Sequence, residues 1–133
     1  MVCVQCGAET SVTNSRHQKR NNQVWRRRLC KSCGAVFTTE ESASYSGSWA
    51  VLSRSGALSP FSRDKLLLSL HGSLQHRKNA VNDASALTDT VIKKLSSVIK
   101  NGRLESQQIT NAVQVALNRF DKAASVHYAA FHQ

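Results

Sequence analysis

Cys3-Val4-Gln5-Cys6-Gly7 and Cys30-Lys31-Ser32-Cys33-Gly34 repeat one five-residue pattern and hold all four cysteines of the 133-residue chain. A C-x-x-C turn sets two thiolates on one side of a tight loop, and the glycine after it lets the backbone curl so that amide groups face sulfur. Two such loops build a tetrahedral four-sulfur site that leaves no coordination position for water or substrate, which makes it structural. Zinc, one ion per chain, is the expected occupant. A rubredoxin-like iron site uses similar loops, and a thioredoxin-type redox pair needs only one C-x-x-C beside a strand and helix. No cysteine remains for a disulfide framework.

Outward from the two loops, the pattern predicts a strand near Ser11–Ser15, a polar turn over Gln18–Gln23, a strand Val24–Leu29 and a further strand Val36–Thr39. A head of this size cannot bury enough apolar surface to fold alone, so the metal, worth on the order of 10 kcal/mol, takes the place of a core. The expected result is a zinc ribbon, a small antiparallel β domain.

The charge is uneven. Residues 1–39 carry seven Lys and Arg against Glu9 alone, while the other 94 residues carry eleven against seven acids. In Val24-Trp25-Arg26-Arg27-Arg28-Leu29 side chains alternate, so Arg26 and Arg28 point together while Trp25 and Arg27 share the other face. Arg16 lies across the turn. Arginine suits bidentate contacts to phosphate and guanine, and an indole packs on sugar or base. The competing assignment makes Trp25 the ribbon's small core and the arginines solvated. Nucleic-acid binding is the favoured one, with Arg16, Trp25, Arg26, Arg27 and Arg28 as the candidate DNA contacts, Arg26 and Arg28 on phosphates and Arg27 on a base edge or in the minor groove.

Glu40 to Ser48 is rich in serine and small residues and reads as a break. The expected domains are residues 1–41, a linker at 42–48, and a body at 49–133. In the body, Trp49–Arg54 alternates as a strand, Ser55-Gly56 signals a two-residue turn, and Ala57–Ser59 returns. Four helices follow. The first, capped by Ser62, turns Leu66, Leu67, Leu70 and Leu74 inward; the second runs from Asn82 or Asp83 to a stop at Asn101-Gly102. The third, capped by Ser106, buries Ile109, Val113, Ala116, Leu117 and Phe120, and the fourth, from Asp121, buries Val126, Tyr128 and Phe131. The fold class is therefore α+β, a ribbon followed by a hairpin over a four-helix bundle. Lys65 falls in a helix's first turn, where the dipole disfavours a cation by about 0.3–1 kcal/mol, and a bound anion would account for it. No Walker-type glycine loop is present.

Taken together these residues resemble the NrdR-type transcriptional repressors of ribonucleotide reductase genes, which join a zinc ribbon to a nucleotide-sensing ATP-cone. The resemblance runs nearly the whole length and is carried by the C-x-x-C pairs, Asn14-Ser15-Arg16, Val24 to Arg28, Phe37-Thr38-Thr39-Glu40 and Pro60-Phe61-Ser62-Arg63-Asp64-Lys65-Leu66. It implies a cytoplasmic, nucleoid-associated bacterial repressor that binds double-stranded operator DNA, takes ATP and dATP as regulatory ligands and forms homo-oligomers. It also implies a nucleotide site at Val51, Arg54, Lys65 and Ser106. The chain departs from the family's cone at Ser53 and Ser59, where lysine and glutamate are usual, and at Ser125 and His132, where tyrosines are. No membrane partner is expected, since the leucine-rich run near Leu66–Leu70 is too short to span a bilayer, and no catalytic triad or paired carboxylates point to an enzyme. The alternative is a constitutive zinc-ribbon nucleic-acid binder whose degenerate cone serves only for oligomerisation.

Overall fold

The computed structural model describes residues 1–132 and divides into two compact units, Met1–Ala43 and the chain from Ser44 onward. The first is an antiparallel sheet of β1 (Thr10–Gln18), β2 (Gln23–Cys30) and β3 (Val36–Ser42) in the order β1-β2-β3. The strands outrun the predicted ones at almost every end. In register, Arg16 lies opposite Trp25 and Trp25 opposite Glu40, while Asn14 lies opposite Arg27 and Arg27 opposite Thr38. A bulge between Val12 and Asn14 shifts β1 by one residue, and that shift puts Asn14 and Arg16 on the face of Trp25 and Arg27.

The second unit opens with α1 (Tyr45–Ser48), a four-residue turn of helix inside the stretch predicted as a linker. Tyr45 packs on Trp49 with ring centroids 4.6 Å apart, and Trp49 meets Phe61 edge-on at 5.3 Å. This aromatic cluster orders the segment, so residues 45–48 belong to the folded body and are no flexible spacer. The strands β4 (Ala50–Leu52) and β5 (Leu58–Pro60) form the expected hairpin. Its turn is one residue longer than the Ser55-Gly56 signal suggested. Ser53 pairs with Ala57, the Gly56 amide closes on the Ser53 carbonyl at 3.0 Å, and Gly56 takes φ +88°, giving a three-residue loop with glycine in the left-handed position.

The helices are α2 (Arg63–Leu74), α3 (Ala80–Ser96), α4 (Ser106–Phe120) and α5 (Lys122–Phe131). Ser62 and Asp121 cap α2 and α5 as expected, accepting from the amides of Lys65 and Ala124. Three other boundaries differ, the first being that α3 ends at Ser96 and not at Asn101-Gly102. Asp83 spends its carboxylate on Arg77 at 2.8 Å and caps nothing, and α3 begins earlier, at Ala80. The N-cap of α4 is Glu105, whose amide donates to Gln108 Oε1 at 2.8 Å, and Ser106 is the first helical residue. Asn101 and Gly102, at φ +53° and +69°, form a tight turn that bridges Lys100 to Arg103. The chain then enters an unpredicted strand, β6 (Arg103–Glu105), which runs parallel to β4 and completes a sheet of order β5-β4-β6.

Leu70, Leu74, Val91, Leu95, Leu104, Val113 and Leu117 are fully buried between these helices and the sheet. Phe120, Val126 and Phe131, predicted inward, are exposed. The Asp121 cap fixes the phase of α5 so that Ala124, Ser125 and Tyr128 face the core. No helix among the described residues is long and apolar enough to cross a membrane.

Candidate metal centre and nucleic-acid interface

The two cysteine loops are built alike. Cys3 N–H donates to the Ala8 carbonyl and Cys30 N–H to that of Ala35, while Gly7 and Gly34, at φ +79° and +75°, return their amides to the carbonyls of Cys3 and Cys30 at 3.0 Å. Neither glycine φ suits a residue with a Cβ. The loops converge so that all four sulfurs lie within 4.8 Å of one another. Two pairs cross between the loops, Cys3 to Cys33 at 3.7 Å and Cys6 to Cys30 at 3.5 Å. Four sulfurs about 2.3 Å from a tetrahedral ion stand about 3.8 Å apart, so the residues present fit zinc with little rearrangement.

The electrostatics of the cluster also call for a cation. Amides of Cys6 and Gln5 lower the Cys3 thiol, and the Cys33 amide brings Cys30 down to about 6. Cys33 moves the other way, to about 12: the Ala35 amide lowers it, but burial and the sulfurs of Cys6, Cys3 and Cys30 outweigh that. Some sulfurs favour thiolate while a neighbour resists a further negative charge, a conflict that a dication removes. Cys3 and Cys30 are buried, Cys6 and Cys33 exposed.

Arg26 and Arg28 share one face of β2, as predicted, but both are engaged within the sheet. Arg26 pairs with Glu41 at 3.6 Å. Arg28 donates to the hydroxyls of Thr39 and Thr10 at 3.4 Å each. Arg16, Trp25 and Arg27 of the opposite face border a shallow depression of about 310 Å³ that Asn14, Thr38, Ser15 and Arg26 also line. Arg27 is exposed, and the Trp25 indole N–H donates to Gln23 at 3.2 Å, which holds the ring over the strand. Sequence reasoning gave Asn14 and Thr38 no role: the bulge-shifted register of β1 brings Asn14 beside Arg27, and the regular β2–β3 pairing sets Thr38 opposite Arg27 on its other side.

In the body, the structure gathers three of the four predicted nucleotide residues. Val51 lies in β4 between Ser59 and Leu104, Arg54 follows at the hairpin turn, and Ser106 opens α4 beside Glu105, the register partner of Leu52. Arg54 Nη2 donates to Gln107 Oε1 at 2.8 Å, and Gln107 to Asn111 at 2.9 Å. Lys65 is exposed on α2, and among the described residues its ammonium enters no ion pair. The departures at Ser53, Ser125 and His132 all have structural partners. Ser53 accepts from the Ala57 amide at 3.2 Å, Ser125 is buried against Gln114, and His132 stacks on Tyr128 at 3.9 Å.

Comparison with known proteins adds to this geometry. Residues 1–41 match the family described as the N-terminal domain of NrdR-like transcriptional repressors. Over its full length the chain is similar to the transcriptional repressor NrdR of Rhodospirillum centenum, at 35% identity and covering 86% of that protein. It is similar also to NrdR 3 of Paramagnetospirillum magneticum at 34% identity and 86% coverage, and to NrdR of Caulobacter vibrioides at 33% and 84%.

Proposed function

The chain belongs to the NrdR family of transcriptional repressors, and from that premise we propose that it represses ribonucleotide reductase genes in response to ATP and dATP. Its role is regulatory and not enzymatic. In this reading residues 1–41 form the DNA-binding domain, and the body, expected from residue 49 and extended by α1 back to Tyr45, forms a nucleotide-sensing cone that assembles into homo-oligomers in the bacterial cytoplasm. Zinc holds the first domain in shape and takes no part in chemistry.

The observation that carries the DNA half is the face of Arg16, Trp25 and Arg27 around their shared depression. Two guanidiniums beside an indole, with the Asn14 amide and the Thr38 hydroxyl at their sides, offer charge for phosphate, a plane for a sugar or base, and donors for a base edge. Arg26 also lines that depression, and Arg26 and Arg28 remain candidate phosphate contacts beside their bonds to Glu41 and the two threonines. The test is a salt titration of duplex binding. Arg16→Ala and Arg27→Ala together should weaken binding to every sequence and flatten the slope of log K against log salt by about 0.9 for each phosphate no longer neutralised. An unchanged slope would remove this face from the interface.

For the sensing half, Val51, Arg54 and Ser106 lie near one another at the hairpin end of α4, and Lys65 is an exposed cation on α2. Arg54 and Lys65 would hold phosphates. One observation favours the second reading, a constitutive binder with a non-sensing cone. Arg54 is already bonded to Gln107, and Ser53 is committed to the turn, which leaves fewer uncommitted donors for a nucleotide.

A further inference from the structure

The row that crosses the ribbon at Arg27 takes one residue from each strand: Asn14, Arg27 and Thr38. Neighbouring strands stand about 4.8 Å apart, so the row is about 10 Å long, and the major groove, about 12 Å wide, admits a β-ribbon of that breadth. No carboxylate stands in the row. Glu40, the acid that β3 brings to this face, lies opposite Trp25.

The three side chains differ in what they can tell apart. A guanidinium only donates, so Arg27 serves a phosphate as readily as a guanine edge. A hydroxyl donates or accepts as it turns, so Thr38 favours no base. A carboxamide holds a donor and an acceptor in one plane at a fixed spacing, which matches N7 and N6 of adenine. Asn14 is that group, and it is exposed. Its plane is also set in advance. The Ser15 amide donates to Asn14 Oδ1 at 2.9 Å, and because the amide nitrogen cannot accept, this bond decides which end of the side chain is which. Oδ1 keeps a second lone pair, and the described residues give the Nδ2 hydrogens no partner. The bulge between Val12 and Asn14 puts the group there: in an unbroken register Thr13 would stand opposite Arg27, and Asn14 would turn to the other face.

We propose that Asn14 is a specificity-determining residue of the ribbon, its carboxamide pairing with N7 and N6 of an adenine in the major groove while the arginines beside it anchor the backbone. This rests on the reading of that face as the DNA interface and adds to it the base recognised.

The experiment uses the zinc-loaded full chain, Asn14→Ala and Asn14→Asp, each made to select duplexes from a randomised pool, so that the recovered sequences give the base preference at every position. The parent should hold adenine at one position of each bound site. Asn14→Ala should lose that preference by about tenfold and keep the others, with an unchanged slope of log K against log salt, because no charge leaves the interface. Asn14→Asp keeps an acceptor for the Ser15 amide but loses the donor hydrogens, so its preference should move toward cytosine, whose N4 amino group donates to a carboxylate. In the parent's selected duplex, 7-deazaadenine at that position should weaken the parent about as much as Asn14→Ala does and leave Asn14→Ala unaffected; this modified duplex carries the test should a variant not fold. No adenine preference in the parent, one that survives in both variants, a uniform loss at all positions, or a parent indifferent to 7-deazaadenine would overturn the proposal. Should Arg16→Ala with Arg27→Ala leave the salt slope unchanged, the face itself would fall and this role with it. A flattened slope in that pair beside an unaltered preference in Asn14→Ala would sink the role of Asn14 alone.

Discussion

Cys30 concentrates the first unit's dependence on metal. It is 1% exposed, its amide closes one loop on Ala35, and its sulfur stands 3.5 Å from that of Cys6 in the other. Cys30→Ser should release the zinc and unfold residues 1–43, since a sheet of this size has no other source of the roughly 10 kcal/mol that metal binding contributes. The helical circular dichroism of the second unit, which has its own core, should survive; loss of both signals together, or an intact ribbon after chelation, would contradict the assignment. Asp121 holds a comparable position in the body. The Ala124 amide first, then His76 and Arg77, hold its carboxyl well below the usual carboxylate range. A depressed carboxylate contributes stability that is complete above its unfolded value and is lost as pH falls through that value toward the folded one. The body's Tm should therefore decline as pH falls below about 4, and Asp121→Asn should lower Tm at neutral pH while flattening that decline. A parallel decline in both proteins would mean that other carboxylates govern it.

At the scale of elements, β6 decides how the body closes. Leu104 is fully buried in the central register of a strand only three residues long, so Leu104→Ala should cost about 2–5 kcal/mol in a denaturant titration. Gly102 makes the turn that delivers it. At φ +69°, with the Ser48 carbonyl 3.0 Å from where a Cβ would sit, Gly102→Ala should cost about 1 kcal/mol or more. A neutral result would show that this turn yields easily. The same segment shows where sequence reading ends. The cysteine loops were legible because metal chemistry fixes both residue type and spacing, and the first-helix stripe of Leu66, Leu70 and Leu74 was legible because its period is that of a helix. Arg103-Leu104-Glu105 holds one apolar residue and no alternation long enough to register as a strand, and Asn101-Gly102 before it reads equally as a helix stop and a tight turn. In α5 almost every residue is apolar or small, so periodicity could not choose a face. The Asp121 cap chose it, leaving Val126 and Phe131 outside. The proposed binding face of the ribbon was half legible: alternation placed Trp25 with Arg27, but bringing Asn14 and Arg16 beside them required the bulge in β1.

For the whole molecule the proposed account couples two weak signals. ATP and dATP differ by one hydroxyl, worth roughly 1–3 kcal/mol where a site buries its partners. A repressor amplifies such a difference by linking it to assembly, because each subunit adds its own differential affinity and several ribbons then meet DNA at high effective concentration. Lys65→Ala, which removes this exposed cation from α2, should abolish nucleotide-dependent changes in mass while leaving the zinc content and weak, salt-sensitive DNA affinity in place. Retention of the parent's response by that variant would move the phosphate site elsewhere. The most direct test of the central claim is one titration of the full chain with ATP and with dATP, in which mass by light scattering and affinity for an operator duplex are read on the same samples. The account predicts that the two nucleotides give different masses and that operator affinity follows mass. If mass and affinity were the same with either nucleotide and with none, the cone would not be a sensor, and the chain would be a constitutive zinc-ribbon DNA binder.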